Sequence, residues 1–279
     1  MTTYIVTGAN GGLGEVVTRR LAATGGRVVM ACRDVDGARR IADGIDGDVT
    51  VGKLDLADLD SVRAFADTVD EVDVLVNNAG LMYVPLTRTK QGFEMQFGVN
   101  HLGHFALTGL LLDRLTDRVV AVSSVAHRQN FRWRMDDPNY EHRRYLRTEA
   151  YGQSKLANMM FARELQRRFE TAGSAKKAYY VHPGVSATGL FARTDTPLDA
   201  VLKPAVSLLN NPPEKAAEAL VLAATDPDLD PHPWWGPTQL MQSRGPVGKC
   251  PTTSTSKDEA KWAELWDVSE RLTGVSYPL

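Results

Sequence analysis

Thr7-Gly-Ala-Asn-Gly-Gly-Leu-Gly14 decides how this chain folds. It follows a short apolar run, Tyr4 to Thr7, and opens a helical pattern near residues 13–24. Glycines let a backbone turn sharply and come close to a bound anion. The helix that follows offers free N–H groups and the positive end of its dipole, which suits a pyrophosphate. A glycine turn alone is weak evidence. Its position between a first strand and a first helix makes it informative.

The same alternation continues outward. Arg27 to Ala31, Val49 to Lys53, Val72 to Val76, Val119 to Ser123 and Ala178 to His182 are Val- and Ile-rich runs of strand length. Helical patterns lie between them near residues 35–43 and 58–69, with Asp34 as a cap for one and Asp58 or Asp55 for the other. Apolar strands separated by helices predict a parallel sheet covered on both faces. Right-handed crossovers make it a doubly wound α/β fold of three layers, αβα. After His182 the pattern changes, because nine of the fourteen prolines fall between Pro183 and Pro237. That composition predicts irregular segments and short helices. The helical period returns from Asp258 to Thr273, with Trp262, Leu265, Trp266 and Leu272 on one face.

Composition excludes several classes. The 279 residues are 43% hydrophobic and 24% charged, as in an ordinary globular chain. Such a chain buries roughly three quarters of its unfolded surface and needs no staples. A net charge of -2 argues against non-specific nucleic-acid binding. Cys32 and Cys250 cannot form a disulfide framework or a four-ligand zinc site, so no metal is expected and reduced thiols in the cytoplasm are. The longest apolar stretch, Leu107 to Leu115, is interrupted by Gly109, Asp113 and Arg114, so no membrane span is expected. The Arg-rich residues 128–148 read first as a solvated loop and second as a basic rim near a substrate mouth.

Candidate ligand contacts fall at strand ends, where open parallel sheets bind ligands. The second strand leads into Cys32-Arg33-Asp34. An acid at this place favours a free ribose 2′-hydroxyl and an arginine favours a 2′-phosphate. Asp34 could instead cap the next helix, so Arg33 and NADP(H) are favoured, with NAD(H) the lesser alternative. Asp55-Leu56 follows the third strand and Asn77-Asn-Ala-Gly80 the fourth. Further on, Tyr151 and Lys155 stand four residues apart, on one face of a helix. A free phenol has a pKa near 10, and a nearby ammonium favours its ionised form.

Thr7 to Gly14, Asn77 to Gly80, Asn100, Ser123-Ser124, Tyr151 to Lys155 and Pro183-Gly184 together resemble the short-chain dehydrogenase/reductase family, in its order and over nearly the whole chain. Ala31-Cys-Arg-Asp34, Val99-Asn-His-Leu-Gly-His-Phe105, Val122-Ser-Ser-Val-Ala-His127 and His182-Pro-Gly184 resemble its retinol dehydrogenase and light-dependent protochlorophyllide reductase branch. So do Tyr151-Gly-Gln-Ser-Lys-Leu-Ala-Asn158 and Leu265-Trp-Asp-Val-Ser-Glu270.

The resemblance implies one Rossmann-type domain over residues 1–279, with a substrate-loop region at about 185–250 and a final helix at about 258–273. It implies roles as well. Tyr151 would be general acid in reduction and base in oxidation, and Lys155 would lower its pKa and hold the nicotinamide ribose. Ser124 would hydrogen-bond the substrate oxygen, with Ser123 the weaker candidate, and Asn100 would anchor a relay water. Gly8, Gly12 and Gly14 would cradle the pyrophosphate, with Asn10 and Leu13 in the same turn. Asp55 and Leu56 would meet the adenine, and Asn78, Ala79 and Gly80 would sit beside the cofactor. Pro183, Gly184, Val185 and Thr188 would lie at the carboxamide.

The expected activity is interconversion of a carbonyl and an alcohol on a lipophilic small molecule. Its pocket would include Leu190, Phe191, Leu198 and Trp234 or Trp235. The alternatives are a light-driven protochlorophyllide-type reductase and a catalytically silent nucleotide-binding protein on the same fold. Relatives of this kind suggest a homo-dimer or homo-tetramer. Two departures stand out. Gly11 occupies a place where many NADP-dependent members carry a cation, and Ser124 and Tyr151 are farther apart than in the simplest members.

Overall fold

Strand alternation builds the two faces of the central sheet. In β1 (Thr3–Thr7), Ile5 points to one apolar layer, while Tyr4 and Val6 point to the other. In β4 (Val72–Asn77), Leu75 joins the first layer and Val74 and Val76 the second. Both layers are buried, which is why these strands read as continuous apolar runs. The computed structural model describes residues 1–130, 133–184 and 211–279.

The chain runs β1, α1 (Gly12–Ala23), β2 (Arg27–Cys32), α2 (Val35–Ala42), β3 (Val49–Lys53), α3 (Leu59–Ala66) and β4. Next come α4 (Met95–Phe97), a π-helical turn (Gly98–Leu102) and α5 (Gly103–Leu111). Strand β5 (Leu115–Val122), a 3₁₀ turn (Val125–Gln129), α6 (Arg147–Thr171) and β6 (Lys177–Val181) follow. The last described stretch holds α7 (Pro213–Ala216), α8 (Glu218–Thr225), β7 (Trp234–Gln239), β8 (Arg244–Cys250) and α9 (Glu259–Thr273).

The sheet order is β3-β2-β1-β4-β5-β6-β7-β8, parallel except for the β7–β8 pair. The order reverses between β1 and β4, which opens a crevice at the carboxyl ends of the strands. The doubly wound α/β fold expected from the sequence is therefore present. The predicted caps are resolved as well: Asp34 accepts from Gly37 N at 3.0 Å to cap α2, and Asp58 accepts from Asp60 N at 3.0 Å to cap α3.

One expectation is corrected. The proline-rich stretch holds two strands, β7 and β8, as well as short helices. Gly236 and Pro237 hid β7 because neither favours a strand interior. Pro237 is tolerated there because β7 pairs with β6 only at Val181↔Trp235, so no partner on that side needs its missing N–H. Gly236 is required, since a Cβ would come within 2.2 Å of His182 Cδ2. In the Arg-rich segment Arg128, Arg134, Arg144 and Arg147 are exposed, as a solvated loop requires, while Arg143 is packed. The Arg143 guanidinium lies 3.7 Å from the Tyr140 ring centroid, and the buried Asp137 accepts from Glu141 N and His142 N at 2.8 and 3.1 Å.

Candidate active site

Gly8 and Gly12 have φ of 63° and 54°, the left-handed region that favours glycine. Gly14 is needed for a different reason. A Cβ there would stand 2.3 Å from the Gly8 carbonyl oxygen and 2.8 Å from Asn78 Nδ2. No side chain caps α1, so its first N–H groups open toward the crevice. A Gly14→Ala variant is expected to weaken NADPH binding at least about tenfold, because the clash is with backbone and cannot be relieved by one rotamer. Fluorescence titration checks this, and unchanged affinity would contradict the cradle.

One side chain ties this turn to the end of β4. Thr7 Oγ1 accepts the N–H groups of Asn78 and Ala79, both at 3.0 Å. Its own proton is then free for His104 Nε2, 2.8 Å away. His104 Nδ1 lies 2.9 Å from the Asn100 carbonyl, so it carries the ring proton and donates it there. Burial pushes His104 down to about 4, which keeps the ring neutral. Asn78 Nδ2 donates to the Thr7 carbonyl at 2.8 Å. The glycine turn, the Asn77–Gly80 segment and Asn100 thus form one hydrogen-bonded unit.

At the other end of the crevice, Arg33 and Asp34 both line the opening. The Asp34 carboxylate is committed to its cap, which removes the stronger competitor for the ribose position. Lys53 Nζ donates to the Arg33 carbonyl at 2.6 Å, adding a second cation to this neighbourhood. Asp55 accepts from Ala57 N at 2.9 Å, and Leu56 lines the wall beside it.

The reactive side chains gather opposite β4. Tyr151 and Lys155 lie on one face of α6, and both are buried. Lys155 Nζ donates to the Val122 carbonyl at 3.0 Å and stands 5.8 Å from the Tyr151 ring centroid. Burial holds this ammonium down to about 8. Burial also pushes the Tyr151 phenol above its ordinary value, while the Ser124 hydroxyl pulls the other way. The sequence reading expected the lysine to lower the phenol's pKa. In the structure the direction is upward, with desolvation of the phenolate the largest cause and Ser124, not Lys155, the group that opposes it.

Two further placements sort the sequence candidates. Ser123 Oγ donates to the Lys155 carbonyl at 2.7 Å, so of the two serines only Ser124 has its hydroxyl at the phenol. The Asn100 carboxamide sits on the π-helical turn, accepting from Leu81 N at 2.7 Å and donating to Ser154 Oγ at 2.9 Å. A Cβ on Gly80 would lie 3.3 Å from both Asn100 Oδ1 and Lys155 Nζ, so these two polar groups converge there.

The crevice has a volume of about 1030 Å³, and Thr7, Asn100 and His104 are not among the residues that line it. Gly8, Asn10, Gly12, Leu13, Gly14, Ala79, Gly80, Pro183 and Gly184 line it, together with Ser124, Tyr151 and Lys155. Val185, Thr188, Leu190, Phe191 and Leu198 lie outside the described residues. Trp234 and Trp235 are corrected: neither lines the crevice. Trp234 is buried against His127 and His182, and Trp235 Nε1 donates to the Asp230 carbonyl.

An apolar wall comes instead from Leu81, Met82, Tyr83, Val84, Pro85 and Met95, which sequence reasoning passed over. Tyr83 has a φ of 56°, and its ring meets the Tyr151 ring edge-on at 5.3 Å. It is held by Gln96 Oε1, which accepts the Tyr83 N–H at 2.7 Å. The available signal was the run of large apolar residues just after Asn77–Gly80, at a strand's carboxyl end. Among the described residues no cluster of side chains could hold a metal ion, and no helix is long and apolar enough to cross a membrane.

Comparisons with known proteins agree with this geometry. Residues 2–136 match the family described as short chain dehydrogenase. Human retinol dehydrogenase 13 is 40% identical, over 99% of this chain and 86% of its own length. Mouse retinol dehydrogenase 14 is 37% identical, over 98% of this chain and 86% of its own length. A crystal structure of a protein from Mycobacterium paratuberculosis is 44% identical, with a TM-score of 0.87, and the match covers 100% of this chain and 96% of that one.

Proposed function

The chain belongs to the short-chain dehydrogenase family, and within it we propose an NADP(H)-dependent enzyme that acts on lipophilic alcohols and carbonyls. Its branch is the retinol dehydrogenase-like one, and its reaction class is oxidoreduction of CH–OH groups with NAD(P). The observation that carries the reading is that the glycine turn, Arg33, Ser124, Tyr151 and Lys155 share one crevice. Bound nicotinamide would supply the hydride.

The residues supply the rest. The protonated Tyr151 phenol gives its proton to the developing alkoxide in reduction and takes it back in oxidation. Ser124 donates a hydrogen bond to the same oxygen. Lys155 places a positive charge 5.8 Å from the phenol ring, which favours the phenolate left after transfer. The six-residue apolar wall from Leu81 to Met95 supports a lipophilic substrate.

Cofactor choice follows from the side chains at the end of β2. Arg33 reaches the crevice, and a guanidinium can hold a phosphate through two charge-assisted hydrogen bonds. The expected preference for NADPH over NADH is about tenfold to a hundredfold. Arg33→Ala should narrow the gap by weakening NADPH. Asp34→Ala should cost about 0.5–2 kcal/mol of stability through the lost cap and leave the preference standing. Titration of both cofactors into the three proteins tests this, alongside a screen of retinoid and other carbonyls. A wild-type preference for NADH, or an Asp34→Ala variant that gains NADPH affinity, would contradict it.

A further inference from the structure

Behind Ser124 lies a buried pair of histidines. His127 ends the Ser124-Val-Ala-His127 turn, and His182 directly follows β6, just before Pro183-Gly184. Neither is more than 1% exposed. Both rings pack on Trp234, His127 edge-on with centroids 4.9 Å apart and His182 tilted at 4.6 Å.

Their hydrogen bonds assign their protons. His127 Nδ1 lies 2.8 Å from the Ser124 carbonyl, which can only accept, so Nδ1 carries the proton. The Gly184 N–H donates to His182 Nδ1 at 3.0 Å, so that nitrogen is bare and the neutral ring carries its proton on Nε2. The two rings therefore sit in opposite tautomers. Among the described residues neither buried Nε2 atom has a hydrogen-bond partner, so the polar contact of each ring is made through Nδ1. Burial lowers both pKa values, His127 to about 4 and His182 to about 3, which is consistent with two neutral rings.

The partners of these two nitrogens, Ser124 and Gly184, both line the crevice. The Ser124 carbonyl also accepts the His127 backbone N–H at 3.0 Å, so one residue grips it twice. Gly184 has a φ of 82°, and a Cβ there would fall 2.5 Å from the Ser243 carbonyl oxygen. Its N–H has no freedom to seek another acceptor without moving the turn.

We propose that His127 and His182 are positioning residues, held in opposite neutral tautomers around Trp234, that fix Ser124 and Gly184 in the lining of the crevice. Their effect on catalysis rests on the roles assigned above to Ser124 and to the Pro183-Gly184 turn. His127 then governs how the substrate oxygen is received, and His182 governs the cofactor wall.

The geometry distinguishes the two ring nitrogens. An asparagine places a polar atom near the Nδ1 position, and a glutamine near Nε2. His127→Asn and His182→Asn should therefore stay within about twofold of wild type. His127→Gln and His127→Phe should raise the substrate KM about three- to tenfold with NADPH affinity unchanged. His182→Gln and His182→Phe should weaken NADPH by a similar factor.

Nitrogen-15 NMR of the wild-type histidine rings reads the tautomers directly and needs no variant to fold. Proton on Nδ1 of His127 and on Nε2 of His182 is the expected result. The same tautomer in both rings, or glutamine rescuing where asparagine fails, would overturn the proposal. If the wild-type enzyme reduced no carbonyl, the functional reading would fail, while the tautomers and the NADPH affinities would still decide this proposal.

Discussion

Tyr151→Phe is expected to lower turnover by about 10²–10⁴-fold and to leave the fold and NADPH affinity intact. The substitution keeps the ring, and with it the edge-on contact to Tyr83 at 5.3 Å. It removes only the hydroxyl, which is hydrogen-bonded with the Ser124 side chain. Burial pushes that phenol up, so it is protonated at neutral pH, and the positive charge of Lys155 favours the phenolate that proton transfer leaves behind. Without it the developing alkoxide has Ser124 to lean on and no proton to take. Stopped-flow or steady-state rates with NADPH, beside circular dichroism of both proteins, check the expectation. A folded Phe variant with near-normal turnover would sink the assignment.

Lys155→Met should damage both cofactor affinity and turnover, each about tenfold or more, because one ammonium serves two partners. A pH series makes the test sharper. Burial holds Lys155 down to about 8, so the charge is present below that pH and disappears above it. NADPH affinity of the wild type should therefore fall as pH rises through about 8, and the Met variant should lack that limb. Stability moves the other way. The unfolded chain binds this proton more tightly, so the buried ammonium destabilises the fold at neutral pH and the penalty is relieved as pH rises above about 8. The Met variant should consequently melt at a higher temperature than wild type at pH 7, an exchange of stability for function. Equal pH profiles for the two proteins would remove Lys155 from cofactor binding.

Much of the architecture was legible because burial on both faces leaves a plain mark on a strand. Ile5, Leu75 and Val119 belong to one layer, and Val6, Val74 and Val120 to the other, so each strand reads as unbroken Val, Ile and Leu. β7 escaped because its pattern, Trp-Trp-Gly-Pro-Thr-Gln, answers to a demand from outside itself. Gly236 makes room for the His182 ring, and that demand is visible only once β6 and β7 are side by side.

The candidate site divides in the same way. Ser124, Tyr151, Lys155 and the glycine turn carry local spacing that survives in the sequence, and they do meet in one crevice. The groups that hold them in place act over long separations. Thr7 and His104 are 97 residues apart, and nothing local marks Thr7 as the acceptor of two N–H groups or His104 as its partner. His101 and His104 could have raised the question, since a histidine in the apolar run Val99 to Phe105 needs a partner. Residue spacing also could not decide the balance at Tyr151. The lysine's proximity was readable, but the degree of desolvation that overrides it depends on the packing of α6 against the 3₁₀ turn.

The central claim is that this crevice transfers a hydride from NADPH to a carbonyl carbon while Tyr151 supplies the proton. Its most direct test is isotope transfer from NADPH deuterated at nicotinamide C4, using the best carbonyl found by screening and mass spectrometry of the product. One deuterium on the new carbinol carbon, formed on a single face and at a rate reduced about 100-fold or more in Tyr151→Phe, is the expected result. A product without deuterium, or equal rates of transfer in the two proteins, would contradict the account.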